Sequence, residues 1–220
     1  KPTFERTVDN IKNGEFPSIT INREKASSLS EGRSTDYEGS LISQFASEIS
    51  RERVRRKEQD LISDFRCPSP PFQVKYEGED GQDAGGLMRD LFAEISKEIQ
   101  STTTGMFIPT PNARKHKGRY QDCFIPSPAT ELHNVREKYW AVGVILAMGV
   151  RSRNVLPYSF PPLVWDYMAG GQITEEHLVE IDEDYKQYIS SLRNSTDNVS
   201  FGKVINQSIE DFRGNIRDIA

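Results

Sequence analysis

Residues 72–98 read FQVKYEGEDGQDAGGLMRDLFAEISKE. Three patterns follow one another in this stretch. Phe72 to Tyr76 alternates apolar and polar side chains, the period of a strand with one buried face. Glu77 to Gly86 is a turn-rich loop with four acids. Leu87, Leu91, Phe92, Ile95 and Ile99 then recur at helical spacing and form one apolar stripe. Asp83 is placed to cap that helix, because its carboxylate can accept from the exposed N–H groups of the first turn. Gly85 and Gly86 would let the helix start close to another backbone.

Outward from this block the chain is mostly helical. Upstream, Ile19-Thr20-Ile21 alternates and reads as a short strand after Pro17, and residues 27–40 (SSLSEGRSTDYEGS) read as a loop. Leu41, Ile42, Phe45, Ala46 and Ile49 predict a helix that continues through Arg51 to Lys57, its mixed charges a solvated face. Leu61, Ile62 and Phe65 suggest one more apolar turn before Pro68, Pro70 and Pro71 break the pattern. Downstream, residues 101–130 lack periodicity, and a short hairpin is expected around Tyr120 to Ile125. A helix is expected from about Leu132 to Val150, with Gly143 and Ala147 offering a small face for another helix. Further helices are expected at Phe160–Met168, ended by Gly170-Gly171, at Thr174-Glu175-Glu176 onward with His177 and Leu178 inside, and at Asp184–Leu192. Residues 194–200 (NSTDNVS) read as a linker, and Val204–Phe212 as a last short helix.

Composition narrows the function classes. The chain has 220 residues, 28 Lys plus Arg against 33 acids, and a net charge of -5. That balance argues against general nucleic-acid binding, which needs a dense positive track. The 2 cysteines exclude a disulfide scaffold and a four-thiolate zinc site and fit a reducing compartment. The apolar run Tyr139–Val150 is too short for a membrane span, which needs about 20 residues. The first residues, Lys1-Pro2-Thr3-Phe4-Glu5, carry no initiator Met and no apolar signal core, so the sequence is expected to be a piece of a longer chain.

Candidate chemistry is sparse. Glu77, Glu79, Asp80 and Asp83 could hold a hard cation, but their spacing does not follow a calcium loop, and the expected role is a turn plus a cap. Cys67 and Cys123 lack a neighbouring base that would make a thiolate. His116, His133 and His177 lack the paired spacing of a zinc site. Trp140, Trp165, Tyr139, Tyr158, Tyr167 and Phe160 read as core aromatics rather than a ligand pocket. Asn194, Asn198 and Asn206 begin glycosylation sequons in an Asn- and Ser-rich tail and are discounted. No catalytic, cofactor or metal-binding residue is expected within these 220 residues.

The block from Phe72 to Glu98 resembles the signature of the HECT domain of ubiquitin ligases. The matching residues are Glu77-Gly78-Glu79, Gly81-Gln82-Asp83-Ala84-Gly85-Gly86, Arg89, Phe92 and Ser96-Lys97-Glu98. Gly105-Met106-Phe107 and Phe124-Ile125-Pro126-Ser127-Pro128 follow in the family's order. So do the helix Tyr139–Arg151, then Leu156–Trp165, Ile173–Leu178 and Ile181-Asp182. The wording around Val150-Arg151 and Leu163-Val164-Trp165 is nearest the HERC-like branch.

The resemblance implies an α+β, predominantly helical fold: the large subdomain of the N-terminal lobe over residues 1–195, with 196–220 a linker and the start of a truncated small subdomain. Glu77, Gly78, Asp83, Gly85, Gly86, Arg89 and Phe92 would be its structural motif. It implies a ligase that accepts ubiquitin from a conjugating enzyme as a cysteine thioester and passes it to substrate lysines. The thiol and most of the docking subdomain would lie outside this piece, leaving it a scaffold inactive alone. The alternative is a non-catalytic protein-interaction module with the same fold. Implied partners are a ubiquitin-conjugating enzyme, ubiquitin and protein substrates, with no nucleic acid, membrane or cofactor. The implied location is the cytoplasm, extending to the nucleus. Some members hold a regulatory ubiquitin on a Tyr pair before the Gly-x-Phe motif. Thr103 and Thr104 stand there instead and lack the apolar faces that would anchor it.

Overall fold

A computed structural model of the protein describes residues 18–55, 72–79, 86–101, 103–128, 134–195, 200, 202–203 and 206. In chain order its elements are β1 (Ser18–Ile21), α1 (Arg23–Ser30), a 3-10 turn (Tyr37–Gly39), α2 (Leu41–Arg55), β2 (Gln73–Tyr76) and α3 (Gly86–Ile99). There follow β3 (Phe107–Pro109), α4 (Pro111–Lys115), β4 (Phe124–Pro126), α5 (Val135–Ser152), α6 (Pro162–Met168), α7 (Glu175–Ile181) and α8 (Glu183–Arg193). The architecture is α+β and mostly helical. The chain divides into two compact units, residues 1–108 with 126–158 and residues 109–125 with 159–220.

In the first unit β1 and β2 run parallel, in the register Ser18↔Gln73, Ile19↔Val74, Thr20↔Lys75 and Ile21↔Tyr76. A parallel pair needs a long crossover, and α1 and α2 supply it. Ile19, Ile21, Val74 and Tyr76 point inward, while Thr20 and Lys75 face out. The buried side chains of α2 are Leu41, Ile42, Phe45, Ala46 and Ile49, the stripe expected from spacing. Phe45 is fully buried and meets Phe72 and Phe92 edge-on, with ring centroids 6.0 and 5.7 Å apart. α2 packs on α3, α5 and β1.

The start of α2 is buried, with Ser40 at 2% and Ser43 at 3% exposure, so water cannot serve its free N–H groups. Each has a protein acceptor. Leu41 N donates to Glu98 Oε1 at 2.8 Å and Ile42 N to Glu98 Oε2 at 2.9 Å. Ser43 N donates to Ser40 Oγ at 3.3 Å, and Gln44 N to the Ser40 carbonyl at 3.0 Å. The carboxylate at the end of α3 thus caps the beginning of α2. Burial pushes the Glu98 carboxyl above its ordinary value, against the pull of the two N–H donors and of Lys138.

Several expectations are revised. Residues 27–40 are not one loop. Asn22 Oδ1 accepts from Lys25 N at 2.9 Å and starts α1, which buries Ala26 and Leu29. Asp36 caps the 3-10 turn through Glu38 N at 3.1 Å. Two short helical pieces therefore hide among the serines, leaving irregular chain mainly at residues 31–36. Gly143 and Ala147 are exposed, because α5 buries its other side through Ala141, Val142, Val144, Ile145 and Met148. The small residue needed for close approach is Gly149, where a Cβ would lie 2.6 Å from Leu156 Cδ1. Among the described residues no helix is long and apolar enough to cross a membrane. The expected turn at Leu61–Phe65 lies outside the described residues, as do residues 129–133 and most of Val204–Phe212.

In the second unit the expected hairpin around Tyr120–Ile125 closes wider than that stretch: Thr110 N, just after β3, donates to the Cys123 carbonyl, just before β4, at 2.9 Å. Only the end of the stretch is strand. Tyr120 is left-handed, with φ 55, and its carbonyl accepts from Thr110 Oγ1 at 2.8 Å. Thr110 Oγ1 also accepts from Ala113 N at 3.0 Å and caps α4, with Pro111 at its first position. Asn112 is 1% exposed and uses its whole amide. Its Nδ2 donates to the carbonyls of Arg119 and Glu180 at 3.0 Å each, and its Oδ1 accepts from Glu183 N at 2.8 Å. A Cβ at Gly118, φ +69, would lie 2.6 Å from that Nδ2. Lys115 and Lys117 both pair with Asp184, whose carboxyl their hydrogen bonds hold below its ordinary value. Not every aromatic expected in the core is there: Phe160 is buried, but Tyr167 is 64% exposed.

Two outcomes follow for stability. Phe45→Ala removes a ring held between two others and is expected to cost about 3–5 kcal/mol, read as a lower denaturation midpoint. Glu98→Ala strands two buried N–H donors and is expected to cost about 1–3 kcal/mol. For Glu98→Gln the sign with pH is set by linkage. A carboxyl raised in the folded state contributes stability that is full below its unfolded value and is lost as pH rises through the folded one. The melting deficit of Glu98→Gln relative to wild type is therefore expected to be largest below pH 4.5 and to shrink as pH rises above it. A deficit that grows with pH would show that the N–H donors hold this carboxyl below its ordinary range.

Candidate functional site

The strand–turn–helix block lies in the first unit, and an arginine outside it organises its turn. Arg23 opens α1, and its guanidinium carbon stands 3.7 Å above the centre of the Tyr76 ring. Arg23 Nη2 reaches Glu94 Oε1 on α3 at 3.0 Å, and Nη1 reaches Glu79 Oε1 in the turn at 3.7 Å. Arg23 and both carboxylates are partly exposed, so each ion pair contributes little; together with the buried Tyr76 ring they fix the direction of the turn. Burial raises the Tyr76 hydroxyl to about 12 despite the arginine above it. That hydroxyl donates to the Leu87 carbonyl at 3.3 Å and ties β2 to the first turn of α3.

The motif residues divide sharply by environment. Glu77 is exposed: its N–H donates to the Ile21 carbonyl at 2.9 Å, and its Oε2 accepts from Asn22 Nδ2 at 2.7 Å. Gly78 has φ +81, a left-handed turn position that suits glycine, and Glu79 N closes the turn on the Tyr76 carbonyl at 3.2 Å. Phe92 is buried against Phe45, whereas Arg89 is exposed. Asp80, Asp83 and Gly85 lie outside the described residues. Gly86 is the first residue of α3, and a Cβ built there meets no heavy atom within 4 Å. Close approach therefore does not explain Gly86.

Beside Arg23 a cavity of about 490 Å³ opens, with Ser27, Leu41, Lys97, Glu98 and Thr103 also on its walls. Its carboxylates are committed, Glu94 to Arg23 and Glu98 to the α2 amides. Thr103 and Thr104 sit in the turn after α3. Thr103 N donates to Ser101 Oγ at 3.3 Å, and Thr104 Oγ1 donates to the Ile99 carbonyl at 3.5 Å.

Among the described residues the thiol and histidine candidates do not assemble. Cys67 and His133 lie outside the described residues. Cys123 is buried in the second unit, with Asp122 Oδ1 3.7 Å from its sulfur. Burial first, and the neighbouring carboxylate second, push this thiol up to about 11, so at neutral pH it is protonated. His116 is exposed and left-handed at the end of α4, with φ 50. Among the described residues no three His, Cys, Asp or Glu side chains are grouped to hold a metal.

Three organising residues escaped the sequence reading: Arg23, Glu98 and Asn112. Glu98 carried a signal, since it lies three residues after Ile95 on the apolar side of α3. Arg23 and Asn112 carried none, because most of their partners are distant in sequence.

Comparison with known proteins agrees with this architecture. The HECT-domain (ubiquitin-transferase) family matches residues 93–215. The chain is 33% identical over 118 residues to human E3 ubiquitin-protein ligase HERC2, covering 54% of this chain and 2% of that protein. It is 25% identical over 133 residues to human probable E3 ubiquitin-protein ligase HECTD4, covering 59% of this chain and 3% of that protein. It is 20% identical over 140 residues to Saccharomyces cerevisiae E3 ubiquitin-protein ligase TOM1, covering 59% of this chain and 4% of that protein. The chain thus spans only a small part of the length of these relatives. With more than half of its residues matched, the chain belongs to the HECT-domain family.

Proposed function

We propose that this chain is the N-terminal-lobe portion of a HECT-type E3 ubiquitin ligase, a scaffold that supports the transfer without supplying its nucleophile. The observation that carries this reading is the HECT match over residues 93–215. Residues 1–195 would form the large subdomain, and 196–220 the linker into a small subdomain. Partners would be a ubiquitin-conjugating enzyme, ubiquitin and substrate proteins, engaged mainly through the rest of the ligase.

The chemistry of such a ligase needs a thiolate. It attacks the carbonyl of the ubiquitin thioester on the conjugating enzyme, whose thiol leaves. The amine of a substrate lysine then attacks the new thioester, forming an amide and releasing the ligase cysteine. A nucleophile for this work must be deprotonated near neutral pH and open to a protein-sized partner. Cys123 meets neither requirement, being buried and raised to about 11. Its place is in the packing of the second unit.

The expected outcome with activating enzyme, conjugating enzyme and ubiquitin is no reductant-sensitive ubiquitin adduct on this chain, read on a non-reducing gel. An adduct lost on Cys123→Ser or Cys67→Ser would overturn the reading. Calorimetric titration with conjugating enzymes is expected to give weak or undetectable binding. A tight complex would place the docking surface within residues 1–195.

A further inference from the structure

His177, in the first turn of α7, has its two ring nitrogens engaged on opposite sides. Nδ1 lies 3.1 Å from the backbone N of Thr174, and Nε2 lies 3.2 Å from Asp166 Oδ2 on α6. A backbone N–H can only donate, so Nδ1 must present a lone pair. The neutral ring then carries its hydrogen on Nε2, from which it donates to Asp166. The position matters because His177 stands where a Glu or Gln side chain commonly reaches back to the residue before the helix. Those side chains keep an acceptor near neutral pH; an imidazole loses its acceptor when it gains a proton.

The geometry points to a protonation-dependent latch: neutral His177 holds both the Thr174 amide and Asp166, and protonated His177 releases the amide while keeping Asp166. A proton arriving on Nδ1 turns an acceptor into a donor, so the Thr174 N–H loses its partner. The ring need not leave, because Thr174 Oγ1, 3.3 Å from Nδ1, can accept the new N–H. The Nε2 contact with Asp166 becomes an ion pair. The charged groups around the ring favour its staying in place. Asp166 faces it from α6. Glu175 and Glu176 neighbour it on α7, and Arg193 of α8 pairs with Glu175 at 2.7 Å. The link between α6 and α7 thus survives protonation, while the first turn of α7 loosens.

The test is NMR on the whole chain. Imidazole 15N shifts at about pH 8 are expected to show a protonated Nε2 and a bare Nδ1. With the ring shown by the same shifts to be protonated at lower pH, exchange of the Thr174 amide, corrected for its intrinsic rate, is expected to be about 2- to 30-fold faster than with the ring neutral, the factor that losing one helix cap implies. His177→Gln keeps an acceptor that does not titrate, so its Thr174 exchange should be independent of pH after the same correction. His177→Ala should exchange fast at both pH values. A neutral ring protonated on Nδ1 would overturn the proposal from the wild-type spectrum alone. So would unchanged Thr174 exchange in wild type, or an equal acceleration in His177→Gln.

Discussion

The two oxygens of Glu98, each receiving one amide of α2, set the geometry of the first unit. The start of α2 is closed to water, and an uncapped buried amide would cost more than an ordinary hydrogen bond returns. No residue next to α2 in sequence supplies both acceptors, so a carboxylate from the end of α3 must arrive at one place and angle. That requirement registers α3 against α2 and brings the Phe92 ring onto the edge of Phe45. The hydrophobic stripes provide the driving force, but they are tolerant of small sliding. The paired hydrogen bonds are not, and they select one register.

The same division of labour recurs at smaller scale. Arg23 contributes little through its exposed ion pairs, yet it touches β2, the turn and α3 at once, so those three move together. In the second unit Asn112 does this with neutral groups. Three partners engage both N–H groups and the oxygen of its amide, and the residues after α4 are shaped around it. Gly118 is glycine for that reason: a larger residue would occupy the space of the amide. Buried polar side chains with every bond satisfied specify position, whereas the surrounding salt bridges add mainly surface charge balance.

Membership of the HECT family gives this framework its meaning. The described part of the chain holds packed helices, a short parallel strand pair and polar ties that fix angles, and its one described thiol is protonated and covered. Thr103 and Thr104 are both engaged within the turn that follows α3.

The sequence by itself determined the elements whose pattern repeats within a few residues. The alternation at Phe72–Tyr76, the stripes of α2 and α3, the apolar run of α5 and the capping signature at the start of α7 are local, and backbone periodicity turns the apolar patterns directly into buried faces. α1 escaped because its serines carry turn propensity, and only burial of Ala26 and Leu29 makes the helix worth forming. Tertiary structure alone decided where the strand Phe124–Pro126 closes, that Gly143 and Ala147 face outward while Gly149 is crowded, and which groups Glu98, Arg23 and Asn112 organise. The physical reason is distance along the chain. Glu98 serves amides 57 and 56 residues away, and Asn112 serves a carbonyl 68 residues away. Whether a polar side chain is a solvated surface group or a buried clamp depends on which backbone folding brings beside it, and no local pattern records that neighbour.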